Sequence, residues 1–319
     1  MTHFDVFNGD ADGLCALTQL RNAEPMEATL VTGVKRDIKL LERVEADSGS
    51  RVTVLDVSMD KNQAGLRRVL EAGADVFYCD HHFAGDIPQH PHLETLINTA
   101  SDVCTSLLIN NYLEGEFLGW AVVGTFGDNL KDTARRIAKP LALDARQLQQ
   151  LENLGIYINY NGYGSQLEDL HFAPERLYRL ISAYADPFDF MDGGRSHFDQ
   201  LETGYRQDMS AAGSLAPEYQ DEGVAVFMLP DQPWARRVSG VYSNDLANAD
   251  PSRAHAVLTE KANGCYLVSV RAPLDNKTGA DELCMQFPTG GGRKAAAGIN
   301  DLPADMLQQF IASLASFYA

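Results

Sequence analysis

His3-Phe4-Asp5-Val6-Phe7-Asn8-Gly9-Asp10-Ala11-Asp12-Gly13 reads as an apolar stretch that stops in a glycine-flanked acidic turn. Two later stretches repeat the arrangement. Val52-Thr53-Val54-Leu55 closes on Asp56, and Val76-Phe77-Tyr78-Cys79 closes on Asp80-His81-His82. Each carboxylate or imidazole stands where a buried strand would end. In open α/β sheets that edge is where ligands bind, and Asp with His is a ligand set for hard-to-borderline divalent metals. Taken singly these pieces are ordinary. Asp-x-Asp-Gly is commonly a surface turn, and an Asp after a strand is commonly the N-cap of the next helix, which is the plain reading of Asp56 or Asp128 alone. Their conjunction at successive strand ends is what points to a metal-dependent phosphate-processing site.

Working outward, strand-like runs at His3–Phe7, Ala28–Val31, Val52–Asp56, Asp75–Cys79 and Thr95–Ile97 alternate with helical patterns at Leu14–Arg21, Ile38–Glu45, Asn62–Ala72 and Cys104–Tyr112. Alternation of this kind predicts a parallel, layered α/β sheet. Residues 115–185 are expected to be mostly helical, clearest at Leu148–Leu154 and Arg176–Tyr184. The stretch Asp186–Asp221, richer in Gly, Asp and Ser and with long helical runs hard to assign except around His197–Met209, is read as the boundary region. Strands are then expected at Val224–Leu229, Ala256–Thr259 and Tyr266–Arg271, followed by a glycine-rich turn and a last helix, Ala304–Phe317. Two domains result: residues 1–200, which would carry the metal site, and residues 201–319, a smaller α/β domain.

The 319-residue chain carries a formal charge of −18. Proteins that track long nucleic acid usually present a basic surface, and this chain has no basic run longer than pairs such as Lys35-Arg36 and Arg236-Arg237. Long polyanions are disfavoured; a small phosphorylated ligand is not. The cysteines are five, scattered and never in CxxC spacing, which argues for reduced thiols and a cytoplasmic location. No apolar run approaches the ~18 residues of a membrane span, and no secretory signal is expected.

Asp10, Asp12, Asp56 and His81, with Asp128 after Trp120-Ala121-Val122-Val123, could surround a pair of ions. Such a pair, ~3.5–4 Å apart, would activate water and stabilise charge on a phosphate. A second constellation, Gly290-Gly291-Gly292-Arg293-Lys294-Ala295-Ala296-Ala297-Gly298, reads either as a phosphate-binding nest or as a surface turn followed by a small-residue helix. Arg271 would end a strand before it and could grip phosphate bidentately. The run Asn159-Tyr160-Asn161-Gly162-Tyr163-Gly164 reads as an Asn/Gly turn with packed tyrosines, with stacking on a base as the rival.

Together these residues resemble the DHH phosphoesterase superfamily, the C-terminal glycine block resembling its DHH-associated second domain, over nearly the whole chain. The resemblance rests on Asn8–Gly13, Asp56, Asp80-His81-His82, Asp128, Ser269-Val270-Arg271 and Gly290–Gly298. It implies Mn²⁺- or Mg²⁺-dependent hydrolysis, with one or two ions, in a cleft between a parallel-sheet domain with a helical extension and a smaller α/β domain. By that analogy Asp10 and Asp56 hold one ion, and Asp12, Asp56, His81 and Asp128 the other. Asp80 orients His81, and His82 faces the substrate phosphate. Arg271 grips the distal substrate with Gly290, Gly291, Gly292, Arg293 and Lys294.

Two residues depart from the pattern. Asn8 stands where the family has His or Asp, and an amide oxygen is the weaker, neutral ligand. Arg293 stands where the family has His, and it keeps charge without serving as a proton donor near neutral pH. The Asn8–Gly13 spacing is similar to the oligonucleotide-processing exonuclease branch. With the acidic charge, this favours a phosphodiesterase that cuts short nucleotide oligomers or dinucleotides to mononucleotides by metal-hydroxide attack on phosphorus. Polyphosphatase or pyrophosphatase-like hydrolysis is the rival chemistry, and a nucleotide-binding protein with an impaired site is the rival class. The partner expected is a small phosphorylated molecule, with no long nucleic acid and no membrane; a homodimer is left open.

Overall fold

The computed structural model describes residues 2–319 and shows a mixed α/β protein that divides into two compact units, Met1–Glu202 and Thr203–Ala319. In the first, β1 (His3–Phe7), α1 (Ala11–Ala23), β2 (Thr29–Val31), β3 (Arg51–Leu55), α2 (Gln63–Glu71), β4 (Asp75–Asp80) and β5 (Leu93–Ile97) build the sheet. Helices α3 (Thr105–Tyr112), α4 (Leu118–Gly127), α5 (Lys131–Ile137), α6 (Ala145–Gly162), α7 (Pro174–Ile181), α8 (Pro187–Gly193) and α9 (Arg195–Gly213) follow, α9 running across the division.

Among the described residues the first sheet has five strands in the order β2-β1-β3-β4-β5, all parallel. Its central strands are buried on both faces, as helix-covered parallel sheets require. Phe4, Val6, Val52, Val54, Val76 and Tyr78 pack on one side with Leu66 and Val69 of α2. On β1 the alternation places a carboxylate, Asp5, on the other side, where the buried Arg21 guanidinium engages both its oxygens at 2.9 and 2.5 Å. The strand order reverses direction between β1 and β3, and the crevice at such a switch point is where doubly wound sheets bind ligands.

α4 is the second determinant. Its residues Trp120–Gly127 are all buried, the mark of a helix enclosed on every side. It packs against α1, α3 and α6. The approach to α6 depends on Gly155: a methyl there would run into the Val123 carbonyl and come within 2.9 Å of the Gly127 amide. Both partners are backbone and cannot turn aside. Gly155→Ala is therefore expected to destabilise the protein by ~1–3 kcal/mol, read as a lower urea midpoint at unchanged slope.

In the second unit, β6 (Tyr219–Gln220), β7 (Val224–Leu229), α10 (Pro233–Ala249), β8 (Ala254–Glu260), β9 (Cys265–Arg271), α11 (Ala280–Cys284), β10 (Gly290–Arg293), β11 (Ala296–Pro303) and α12 (Leu307–Phe317) form a mixed sheet with helical cover. The strand order among the described residues is β10-β11-β9-β8-β7-β6, with β7 and β8 parallel and the other pairs antiparallel. Val224, Val226, Ala256 and Val268 pack with Leu283 of α11 and Phe310 of α12. Alternate residues serve α10, where Phe227 meets Tyr242 edge to face at 5.6 Å.

Four local readings need correction. Ile38–Glu45 carries only a short 3₁₀ turn at Leu40–Arg43. Arg68 binds the carbonyls of Leu41, Glu42 and Val44, and Asn62 binds the Leu41 amide, so side chains of other segments satisfy this backbone. The region from Asp186 to Asp221 is far more helical than its composition suggests, through α8 and α9. The helix α10 was not anticipated. Finally, Gly290–Gly298 forms the antiparallel pair β10–β11, with Gly290 opposite Ile299 and Arg293 opposite Ala296, rather than a turn followed by a helix. Gly290 has no room for a side chain, because a Cβ would strike the Cys284 carbonyl.

Candidate metal centre

The carboxyl ends of β1, β3 and β4 lie side by side, tied by Asn8 N–H to Leu55 O at 3.3 Å and Asp56 N–H to Cys79 O at 3.1 Å. The adjacent strand ends thus deliver Asn8, Asp56 and Asp80 to one edge. Asp56 does so with φ of 58°, a left-handed conformation that Asp tolerates better than most residues. Asp10 is the N-cap of α1, its Oδ1 accepting from the amides of Asp12 and Gly13, each at 3.1 Å. Asp12 sits in the first turn and does something the sequence does not show. Its two oxygens accept from the Thr105 and Ser106 amides at 2.7 and 2.6 Å, capping α3 from another element. Cys104, the residue at the α3 N-cap, supplies no side-chain cap of its own.

His81 is the hub. Its Nδ1 lies 3.0 Å from the Val103 carbonyl, and a carbonyl can only accept, so this nitrogen carries the proton. Nε2 faces Asp56 Oδ1 at 3.4 Å, Asp12 Oδ2 at 3.8 Å and Asp128 Oδ2 at 3.9 Å. An imidazole with one nitrogen anchored on a carbonyl and the other facing three carboxylates is the donor set of a divalent metal site. Two groupings could hold an ion, Asp12–His81–Asp128 and Asp56–His81–His82. Asp128 reaches the first from the C-cap of α4. It is neither a strand-end residue nor an N-cap, and a carboxylate at a helix C-terminus is disfavoured by the helix dipole, so a bound cation would relieve it.

Two details differ from the roles the resemblance implies. Asp80 is paired with His82, Oδ1 to Nδ1 at 2.8 Å, rather than with His81, whose orienting partner is the Val103 carbonyl. The reason is chain direction: side chains alternate across an extended segment, so residues 80 and 82 share a side. Asp10 is engaged by the ammonium of Lys35, which also donates to Asn159 Oδ1 at 3.0 Å. Lys35, Val103, Thr105 and Ser106 are site residues that sequence reading missed, and Asn159 was singled out there only as part of an Asn/Gly run. The departure at Asn8 was the available signal that something else serves that corner.

Electrostatics separate the carboxylates. Burial opposes the charge on Asp10, but Lys35 and the α1 amides outweigh it and hold the group at about 2. Asp56 is pushed well above the ordinary range by burial and then by Asp10, Asp12, Asp80 and Asp128. Asp12 is raised by burial, against the pull of His81. The signs follow. Asp10 contributes stability that is present above its unfolded value and lost only as pH falls toward about 2. Asp56 and Asp12 contribute stability that is present at low pH and lost as pH rises above the carboxylate range. Metal-free protein is therefore expected to melt lower at pH ~8 than at pH ~5, and Mn²⁺ to raise Tm more at the higher pH. A thermal-shift series with and without chelator checks both.

The remaining expected residues lie in the second unit. Arg271 ends β9 and is held by Asn244 Oδ1 at 2.7 Å and Ser269 Oγ at 3.1 Å. Arg271 and Arg293 both face Ala296 in the strand registers, so the two guanidinium residues flank one position of β11. Arg293 and Lys294 are exposed. Tyr160 and Tyr163 of the first unit are buried. They pack, as the Asn/Gly reading holds, but at the end of α6 rather than in a free turn.

No family model matches the sequence, and no curated protein matches it. Solved structures do match. An exonuclease RecJ bound to manganese superposes with a TM-score of 0.64 at 18% identity, over 99% of this chain and 90% of that one. The DHH domain of a protein named as a member of a ribosomal protein family gives 0.65 at 13% identity, over 99% and 86%. A pGpG-specific phosphodiesterase, PggH from Vibrio cholerae, gives 0.55 at 13% identity over the full length of both chains. At these identities the likeness is one of fold. The chain has the fold of the DHH phosphoesterases.

Proposed function

We propose that this DHH-fold chain is a metal-dependent phosphodiesterase that hydrolyses short nucleotide oligomers or dinucleotides to mononucleotides. The observation that carries the reading is His81, with Nδ1 anchored on a carbonyl and Nε2 turned to Asp12, Asp56 and Asp128. A divalent ion, Mn²⁺ or Mg²⁺, supplies Lewis-acid activation of water and neutralises charge on the phosphate oxygens. The chain's own residues do the rest. Asp12 and Asp128 bring carboxylates from two helices to His81, and Asp56 stands between His81 and His82, 3.4 and 3.8 Å from their ring nitrogens. His82, one-third exposed and paired with the fully buried Asp80, supplies positive charge to the phosphate and a proton to the departing oxygen. In the second unit, Arg271, Arg293, Lys294 and the glycines Gly290, Gly291 and Gly292 are proposed as phosphate-binding residues.

The neighbours named above support this reading at the level of reaction class, one being named as an exonuclease and one as a dinucleotide phosphodiesterase. Net charge of −18 favours the short substrates. The test is turnover with Mn²⁺ on dinucleotides including pGpG, short RNA and DNA, 3′-phosphoadenosine 5′-phosphate and polyphosphate. Chelator-sensitive mononucleotide release from dinucleotides or short oligomers is the expected result. Phosphate release from polyphosphate alone would replace it with the rival hydrolase. The Lys35–Asp10 pair favours a second reading, a nucleotide-binding protein with an impaired site, which would show nucleotide binding with no turnover.

A further inference from the structure

We propose that the ammonium of Lys35 takes the place of one ion of a two-ion centre, so that the chain holds a single divalent ion, at His81. The inference rests on the metal-dependent reading above and concerns how that centre is completed.

Both oxygens of Asp10 are committed. Oδ1 accepts the Asp12 and Gly13 amides, and Oδ2 accepts the Lys35 ammonium. The ammonium also donates to the buried Asn159 Oδ1 at 3.0 Å and lies 5.2 Å from the centre of the Tyr163 ring. It therefore has an anion, a neutral oxygen and an aromatic face as neighbours, a full set for a desolvated monovalent cation. Asn8, where the resemblance calls for His or Asp, adds no charge. It donates Nδ2 to the Lys35 carbonyl at 3.4 Å, and its Oδ1 is buried without a partner. Asp10, the carboxylate of that corner that His81 does not face, is thus balanced by the ammonium, which lowers the corner's attraction for a second divalent ion.

The lysine is also held by its backbone. Its N–H donates to the Gly162 carbonyl at 2.8 Å. A methyl on Gly9 would strike the Gly33 carbonyl, and one on Gly162 would come within 2.9 Å of the Gly9 carbonyl and 3.1 Å of Asp10 Cα. The acidic turn, the segment leading to Lys35 and the end of α6 are thus in direct backbone contact. This gives the Asn159–Gly164 run its purpose: it cradles the ammonium. The cation it fixes is covalently attached and always present, so it supplies the substrate phosphate with positive charge that no chelator removes.

Manganese stoichiometry of the full chain, by elemental analysis and EPR at saturating Mn²⁺, tests the inference. Wild-type protein is expected to bind one Mn²⁺ with the spectrum of an isolated ion. The variant Asn8→Asp with Lys35→Gln, which restores an acid and removes the ammonium, is expected to bind two, with spin coupling. Two coupled ions in wild type overturn the inference while leaving the phosphodiesterase reading intact. A double variant that folds, by circular dichroism, and still binds one ion overturns it as well. If that variant does not fold, the wild-type stoichiometry decides. No bound Mn²⁺ in wild type removes the metal-dependent reading and this inference together.

Discussion

Asp56→Asn is expected to lower kcat/KM by about a thousandfold, the scale of losing one electrostatic contact to the reacting group, while raising the Tm of the metal-free protein. The two effects have one cause. Asp56 is buried among Asp10, Asp12, Asp80 and Asp128, and its carboxyl is pushed well above its ordinary range first by burial and then by these neighbours. Without an ion, its charge is a cost to the fold. With an ion, the same charge is the ligand. Asparagine keeps the shape and tolerates the left-handed backbone at φ 58°, so the substitution removes charge and little else. A stabilisation of roughly 1–2 kcal/mol is expected near neutral pH, and it should vanish on acidification, where Asp56 is already protonated. Wild-type activity in Asp56→Asn would end the ligand assignment. A fall in metal-free Tm at neutral pH would show that its hydrogen bonds outweigh its charge.

The two histidines should separate cleanly. His81→Ala is expected to weaken Mn²⁺ binding by more than the 10–100-fold that loss of a supporting partner costs, and activity should fall with it. His82→Ala is expected to keep Mn²⁺ affinity and lose ~10²–10⁴ in kcat. Asp80→Asn should reproduce most of the His82 loss, because Asp80 is the 2.8 Å acceptor that fixes that ring. The comparison rests on geometry: His81 has its second nitrogen on a backbone carbonyl and only its Nε2 toward the carboxylates, whereas His82 Nδ1 is bound to Asp80 and stands 3.8 Å from Asp56. Isothermal titration with Mn²⁺ beside steady-state kinetics checks both halves. Loss of Mn²⁺ binding in His82→Ala would place His82 among the ligands, in the Asp56–His81–His82 grouping.

How much of this was legible in the chain can be judged residue by residue. Strands β1, β3 and β4 were readable because each is a short β-branched or aromatic run cut off by a polar residue, and burial on both faces of a parallel sheet forces that pattern. The acidic residues at their ends were readable because strand termination and chemistry coincide there. Asp128 was found from its neighbours, in a stretch expected to be mostly helical; its place at the C-cap of α4, rather than at an N-cap, is what the structure added. α10 was missed because its apolar face is interrupted by Arg236, Arg237 and Ser239, and its helical state is supported by the sheet beneath it.

The amino-acid sequence by itself determined which residue types would meet at the carboxyl edge of a parallel sheet, because side-chain period and strand length are local properties. Only the tertiary structure decided who partners whom there: Val103 with His81, Asp80 with His82, the α3 amides with Asp12, and Lys35 with Asp10 and Asn159. Those contacts join residues as far as 124 positions apart, and they are set by the strand order and by the close approach of α4 to α6. Pair interactions of that range leave no periodic trace in a sequence, since nothing local depends on them.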